Sequence, residues 1–139
     1  MKCQIYCRCD DLTPYWVRWH ELGELWTRHD SQHDSQFLEA SSLKHAYHKL
    51  WFKNGEDNQL YFQIGEIYFD PRHGYVMFYN GRHRTILLSS LLEVIPIAVD
   101  KTISDSESEL FSRFLVRPVE TDEIIELPDL EIMSVKQLR

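Results

Sequence analysis

Apolar and polar positions along this chain switch between two periods, and the sharpest switch falls in Gly74–Asp100, GYVMFYNGRHRTILLSSLLEVIPIAVD. Tyr75–Tyr79 is a short apolar run, Asn80-Gly81 interrupts it, Arg82–Leu92 carries helical spacing, and Val94–Val99 is a second apolar run ended by Asp100. The pattern predicts strand, turn, helix and strand, a compact βαβ unit. Upstream, Gln59–Phe69 is rich in Tyr, Phe and Ile. It predicts a strand that returns through Asp70-Pro71-Arg72-His73-Gly74 into Tyr75–Tyr79 as a β-hairpin.

Elsewhere the pattern is less sharp. Met1–Arg8 alternates, with Cys3, Ile5 and Cys7 on one face, and predicts an edge strand. Thr13-Pro14 offers a capping hydroxyl and a proline at the first helical position, so a helix is predicted over Tyr15–Thr27. Trp16, Trp19, His20, Leu22 and Trp26 form its stripe. Asp30–Ser35 reads as an exposed loop before a second helix over Gln36–Phe52, whose apolar face holds Phe37, Leu38, Leu43, Tyr47, Leu50 and Trp51 and which Asn54-Gly55 closes. Thr102–Leu115 is predicted as an amphipathic helix and Glu123–Leu127 as a last strand, which Pro128 separates from a short helix or tail. These elements sum to a single α+β or α/β domain, a small mixed sheet with helices packed on it.

Composition changes the picture in two ways. The 139 residues suit one core, and no apolar run approaches the roughly twenty residues of a membrane span, so a soluble cytosolic protein without a membrane partner is expected. The three cysteines, Cys3, Cys7 and Cys9, are odd in number and fit a reducing compartment. Their Cys-x3-Cys-x-Cys spacing lacks the pattern of a zinc knuckle, and His29 and His33 read as loop residues, so no metal site is predicted. The formal net charge of −7 disfavours general coating of nucleic acid. Acidic residues gather in Asp105–Glu109 and Glu120–Glu131 and basic ones in Arg72–Arg84, which predicts two surfaces of opposite character.

The basic surface carries the candidate chemistry. At the predicted turn Gly81 lets backbone approach an anion, and Arg82, His83 and Arg84 leave the start of a helix where unpaired N–H groups and the positive end of the helix dipole converge. A phosphate suits such a place. The other reading is structural: the arginines pair internal carboxylates, with Glu66, Asp70 and Asp100 as candidates.

Asn80-Gly81-Arg82-His83-Arg84, the helix behind it and Ile95-Pro96-Ile97 resemble the G-x-H-R box and following strand of the ParB/sulfiredoxin-like superfamily, nearest to its plasmid fertility-inhibition branch. The likeness spans Ile64–Asp100. It implies a ParB/sulfiredoxin-like domain in which Gly81, His83 and Arg84 meet nucleotide phosphates, of ATP or CTP, with Asn80 and Arg82 beside them. It also implies a bacterial cytoplasmic protein of a mobile element that interferes with DNA transfer or with a competing nucleoprotein. Arg82 stands where sulfiredoxins carry their catalytic cysteine, so the reductase chemistry is not implied.

No nucleophile elbow, Walker lysine motif or helical metal-ligand pair occurs in the sequence. Weak ATPase or nuclease activity would have to draw on dispersed residues such as Glu66, Asp70, His73 and His83. Two functions of different class are therefore expected to compete: a domain that binds nucleotide or nucleic-acid phosphate, and a non-enzymatic acidic inhibitor or adaptor that docks on a basic protein partner.

Overall fold

The computed structural model describes residues 1–29, 46–70, 75–100 and 113–133. Over these residues the chain is an α+β protein, mostly sheet with two helices.

The larger sheet has five strands. They are β2 (Leu12–Arg18), β6 (Gly65–Asp70), β7 (Tyr75–Asn80), β8 (Val94–Asp100) and β9 (Leu115–Pro118), in spatial order β7-β6-β8-β2-β9. Its central strand β8 is an almost unbroken apolar run, with Ile95, Ile97, Ala98 and Val99 fully buried, as a strand covered on both faces requires. The second sheet has four strands, β1 (Lys2–Tyr6), β4 (Phe52–Asn54), β5 (Leu60–Gln63) and β10 (Ile124–Glu126), in the order β10-β1-β5-β4. A two-stranded piece pairs β3 (Ala46–His48) in parallel with β11 (Glu131–Met133).

The two large sheets meet where β5 hands over to β6. Ile64, buried, donates its N–H to the Tyr6 carbonyl at 3.0 Å, and Gly65 then opens a strand of the other sheet. Phe62 packs beneath this joint against Phe52 and Trp51, with ring centroids 5.4 and 6.5 Å apart. The core continues from there through Ile67, Val76, Leu87, Leu88 and the buried residues of β8. Helix α1 (Trp19–His29) buries Trp19 and Leu22, three residues apart on one face, and sets Trp19 5.5 Å from Phe78 of β7. Helix α2 (Arg82–Leu91) packs on β8 and β6.

The hairpin stands in part: β6 and β7 pair antiparallel, with Asp70 opposite Tyr75, but the strand expected over Gln59–Phe69 breaks at Ile64, and its first half, β5, belongs to the other sheet. The turn, the helix after Gly81 and the strand from Val94 also stand. The unit is not the expected βαβ. Strand β8 pairs in parallel with β6, and β6 is antiparallel to β7, so the strands flanking α2 run in opposite directions and are not neighbours. The parallel pair is β6 and β8, and the crossover between them contains both β7 and α2.

The predicted helix over Tyr15–Thr27 is wrong in its first third. Thr13-Pro14 caps nothing but lies inside β2, which pairs along its whole length with β8 and, from Tyr15, with β9 on the other side. Thr13, Tyr15, Trp16 and Val17 are β-branched or aromatic, and two-sided pairing outweighs a local capping signal. Helix α1 begins at Trp19, which leaves Trp16 on a strand. The helix predicted over Gln36–Phe52 fails where it is described: Ala46–His48 is a strand, Lys49–Trp51 a single 3-10 turn and Phe52 the start of β4. Its apolar residues fill a sheet core, with Tyr47 fully buried and Trp51 nearly so. Residues 30–45, 71–74, 101–112 and 134–139, with the predicted loop at Asp30–Ser35, the hairpin turn and most of the helix over Thr102–Leu115, lie outside the described residues.

At the ends, β1 is an interior strand between β10 and β5 rather than an edge, which is why Cys3 is buried. The strand expected at Glu123–Leu127 is β10, but it is not the last, since Glu131–Met133 pairs with β3. Among the described residues no helix is long and apolar enough to cross a membrane.

Candidate functional site

The turn between β7 and α2 is built around two glycines. Gly81 is the N-cap residue of α2 with φ +88°, in the left-handed region that an L side chain rarely enters. It is also packed tight: a Cβ at Gly81 would lie 2.6 Å from the Cα of Gly65 and 2.8 Å from Nη2 of Arg84. A Cβ at Gly65 would lie 2.1 Å from Oγ1 of Thr85. Thr85 is buried and donates its hydroxyl to the Gly81 carbonyl at 2.7 Å, while its N–H donates to the same oxygen at 3.0 Å. Two backbones therefore touch where the turn crosses the start of β6, and Thr85 bolts the turn down. Gly81 supplies no capping side chain, so the N-terminus of α2 is left to backbone and to whatever enters from outside.

Below the turn runs an internal polar relay. Glu66 of β6 is buried, and its Oε1 accepts from Nδ2 of Asn80 at 2.8 Å. The Asn80 Oδ1 accepts from Nη2 of Arg84 at 2.5 Å, and the same Nη2 donates to the Ile64 carbonyl at 3.3 Å. Arg84 Nε is buried without a partner. Burial lowers the Arg84 pKa, the nearby Glu66 charge opposes that shift, and Arg8 adds to it. Arg84 thus reaches back into the joint between the sheets, and the amide of Asn80 separates it from Glu66.

Above the turn lies a polar pocket of about 370 Å³, lined by Trp51, Phe78, Tyr79, Asn80, Gly81, Arg82, His83 and Arg84. All five residues expected to meet a phosphate, Asn80 to Arg84, line this one cavity. They are not equivalent: Asn80 and Arg84 are half-buried and tied into the relay, whereas His83 is exposed. Partial desolvation pushes the His83 imidazole below its ordinary pKa, and the charges of Arg82 and His48 add to the shift. The ring of His48 lies 5.9 Å from that of Trp51, which brings a second histidine to this side of the molecule.

Of the carboxylates expected to pair the arginines, Glu66 is reached through Asn80, Asp100 accepts from Oη of Tyr79 at 3.5 Å, and the side chain of Asp70 lies outside the described residues. His73 lies there too. Trp51, Phe78 and Tyr79 as walls of the pocket, and Gly65 and Thr85 as the supports of its turn, were not among the residues expected here. An isolated glycine inside a strand pattern is a signal of close backbone approach, so Gly65 was legible. Trp51 was not, because it stands on the 3-10 turn between β3 and β4, far in sequence from the Gly81 turn. Among the described residues no group of three or more His, Cys, Asp or Glu could hold a metal ion, and Cys7 donates its thiol to the Cys9 carbonyl at 3.3 Å.

Compared with family models, curated proteins and solved structures, the chain matches none.

Proposed function

We propose that this protein binds the phosphate of a nucleotide or of a nucleic-acid end in the pocket over the Gly81 turn. The observation that carries the reading is the coincidence of a side-chain-free, left-handed N-cap with a polar cavity whose lining includes Arg82, His83 and Arg84. A helix N-terminus favours an anion through its N–H groups and dipole, and neighbouring cations strengthen those bonds. The residues divide the work. Arg82, His83 and the first backbone N–H groups of α2 face the phosphate, while Asn80 and Arg84 set the shape and charge of the floor.

The resemblance of Gly81-Arg82-His83-Arg84 to the ParB/sulfiredoxin-like box fits this reading and suggests ATP or CTP as the nucleotide. It also suggests a role for a mobile element in interfering with DNA transfer. Weak phosphoryl hydrolysis would fall to His83, the exposed base at the pocket. The test is equilibrium titration with phosphate, ATP and CTP against wild type, Arg82→Ala and His83→Ala. Millimolar or tighter binding that weakens in both variants and with added salt supports the reading. Equal binding in all three proteins overturns it.

A second reading has its own observation. Leu50, 70% exposed on the turn that follows β3, and Ile132, 44% exposed on β11, are each apolar side chains that a docked partner would cover. A basic protein partner would be drawn by the net charge of −7. Leu50→Asp would abolish that association and leave phosphate binding intact.

A further inference from the structure

A second cavity, of about 560 Å³, opens on the four-stranded sheet and is lined by Tyr6, Lys53, Asn54, Gly55, Glu56 and Tyr61. Three adjacent strands supply it. Lys53 of β4 stands opposite Tyr61 of β5, and Tyr61 stands opposite Gln4 of β1, two residues before Tyr6. These side chains share the face turned away from the core, since Phe52, Phe62 and Ile5, one residue along each strand, pack inward.

The cavity is specifically built. The ring of Tyr61 lies on Gly55 so closely that a Cβ there would sit 2.1 Å from the ring, and a backbone bond from Gly55 N–H to the Gln59 carbonyl, 2.8 Å, fixes the loop beneath it. Lys53 holds its ammonium 4.6 Å from the centroid of the Tyr6 ring.

The chemistry of this lining selects among ligands. The Tyr61 ring favours a planar ring; the resident ammonium over Tyr6 disfavours a cation and favours an anionic tail; the Glu56 carboxylate accepts from ring-edge amino groups and repels carbonyl edges. A planar ring with amino donors and a phosphate tail is a nucleotide of adenine, cytosine or guanine. We infer that this face is a base-stacking platform for single-stranded nucleic acid, in which a base lies against Tyr61, its amino edge meets Glu56, and the following phosphate meets Lys53 where its ammonium lies over Tyr6. The site is separate from the Gly81 pocket and does not depend on it. With an overall charge of −7, stacking supplies most of the affinity, so the salt dependence is shallow, with a slope of about −0.7 for each phosphate neutralised.

The experiment titrates the full chain with hexanucleotides of cytosine and of thymine, with CMP as the control for a free nucleotide, and follows amide and aromatic signals by NMR. The cytosine hexamer is expected to shift Lys53–Glu56 and Tyr61, to bind more tightly than the thymine hexamer, and to bind more tightly than CMP. Tyr61→Leu is expected to weaken it about tenfold or more, and Tyr61→Phe, which keeps the ring, to change it by less than about twofold. Glu56→Gln is expected to narrow the preference for cytosine over thymine. Inorganic phosphate binding at the Gly81 pocket is expected to be unchanged in Tyr61→Leu, so failure at one site is distinguishable from failure at the other. Hexamer signals that leave Lys53–Glu56 and Tyr61 unmoved in wild type, or no hexamer binding at millimolar concentration, would overturn the platform whether or not Tyr61→Leu folds. Equal binding of CMP and hexamer would overturn the polymer and leave a mononucleotide site.

Discussion

The buried carboxylate of Glu66 is held by the amide of Asn80, Nδ2 to Oε1 at 2.8 Å, and not by a direct ion pair with an arginine among the described residues. A neutral donor so placed lets one side chain satisfy an anion on one side and a guanidinium on the other. Asn80→Ala removes both bonds at once and leaves two charged groups short of partners. A loss of about 1–3 kcal/mol is expected in denaturant unfolding. An unchanged midpoint for Asn80→Ala would mean that the relay contributes nothing.

The glycine contact gives a sharper test. Gly81→Ala places a Cβ against the backbone of Gly65 in a conformation that alanine resists, so a loss of about 1–3 kcal/mol from the backbone strain alone is expected. Gly65→Ala clashes first with the Thr85 hydroxyl. Thr85→Ala, harmful alone because it unbolts the turn, is therefore expected to recover part of the loss in the double variant. Strict additivity in that cycle would contradict the packing described.

The expected helix at Thr13-Pro14 and the found strand show what the sequence could and could not reveal. A capping hydroxyl followed by proline is local information, and it was legible; the two strands that sandwich Leu12–Arg18, β8 and β9, come from more than seventy residues away and were not. The pairing of β6 with β7, the Gly81 turn and α2 were legible because their determinants lie between Gly65 and Leu91, whereas the break at Ile64 that sends Leu60–Gln63 to the other sheet was not. The same division runs through the candidate site. Asn80 to Arg84 were legible as one cluster, but the division between an inward Arg84 and an exposed His83 rests on Glu66 and Ile64, which only the sheet pairing places. Trp51 enters the pocket from a segment whose apolar positions at Tyr47, Leu50 and Trp51 fit helical spacing as well as they fit short strands.

Glu123 offers a test of the far edge of the larger sheet. It takes two bonds from Arg117, one from the Trp16 indole at 3.0 Å and one from the Glu120 N–H at 3.0 Å. The Arg117 hydrogen bonds are the main reason its carboxyl is held down at about 2, against an ordinary 4.5. A depressed folded-state pKa means that the unfolded chain binds the proton first. The stability contributed by Glu123 is therefore complete above about 4.5 and is lost as the pH falls toward about 2. Glu123→Gln is expected to flatten that part of the stability profile, and an identical acid limb in the variant would contradict the assignment.

His83 links the pocket to pH. Its imidazole titrates below the ordinary histidine value in the free protein, and a bound phosphate would raise it, so binding takes up a proton. Phosphate affinity is therefore expected to increase as the pH falls from above the His83 value in the complex to its value in the free protein, and to level off below that. His83→Asn is expected to remove this slope while leaving the rest of the binding in place. A pH profile that is the same in wild type and His83→Asn would exclude the histidine from the site.

The most direct measurement is an NMR titration of the wild-type chain with inorganic phosphate and then ATP, read at the backbone amides of Gly81, Arg82, His83 and Arg84. Saturable shifts confined to these amides and to the walls at Trp51 and Phe78, weakened by salt and by Arg82→Ala, are the expected result. Amides of the Gly81 turn that stay in place at millimolar phosphate and millimolar ATP, in a protein whose fold is intact, would contradict a phosphate site there.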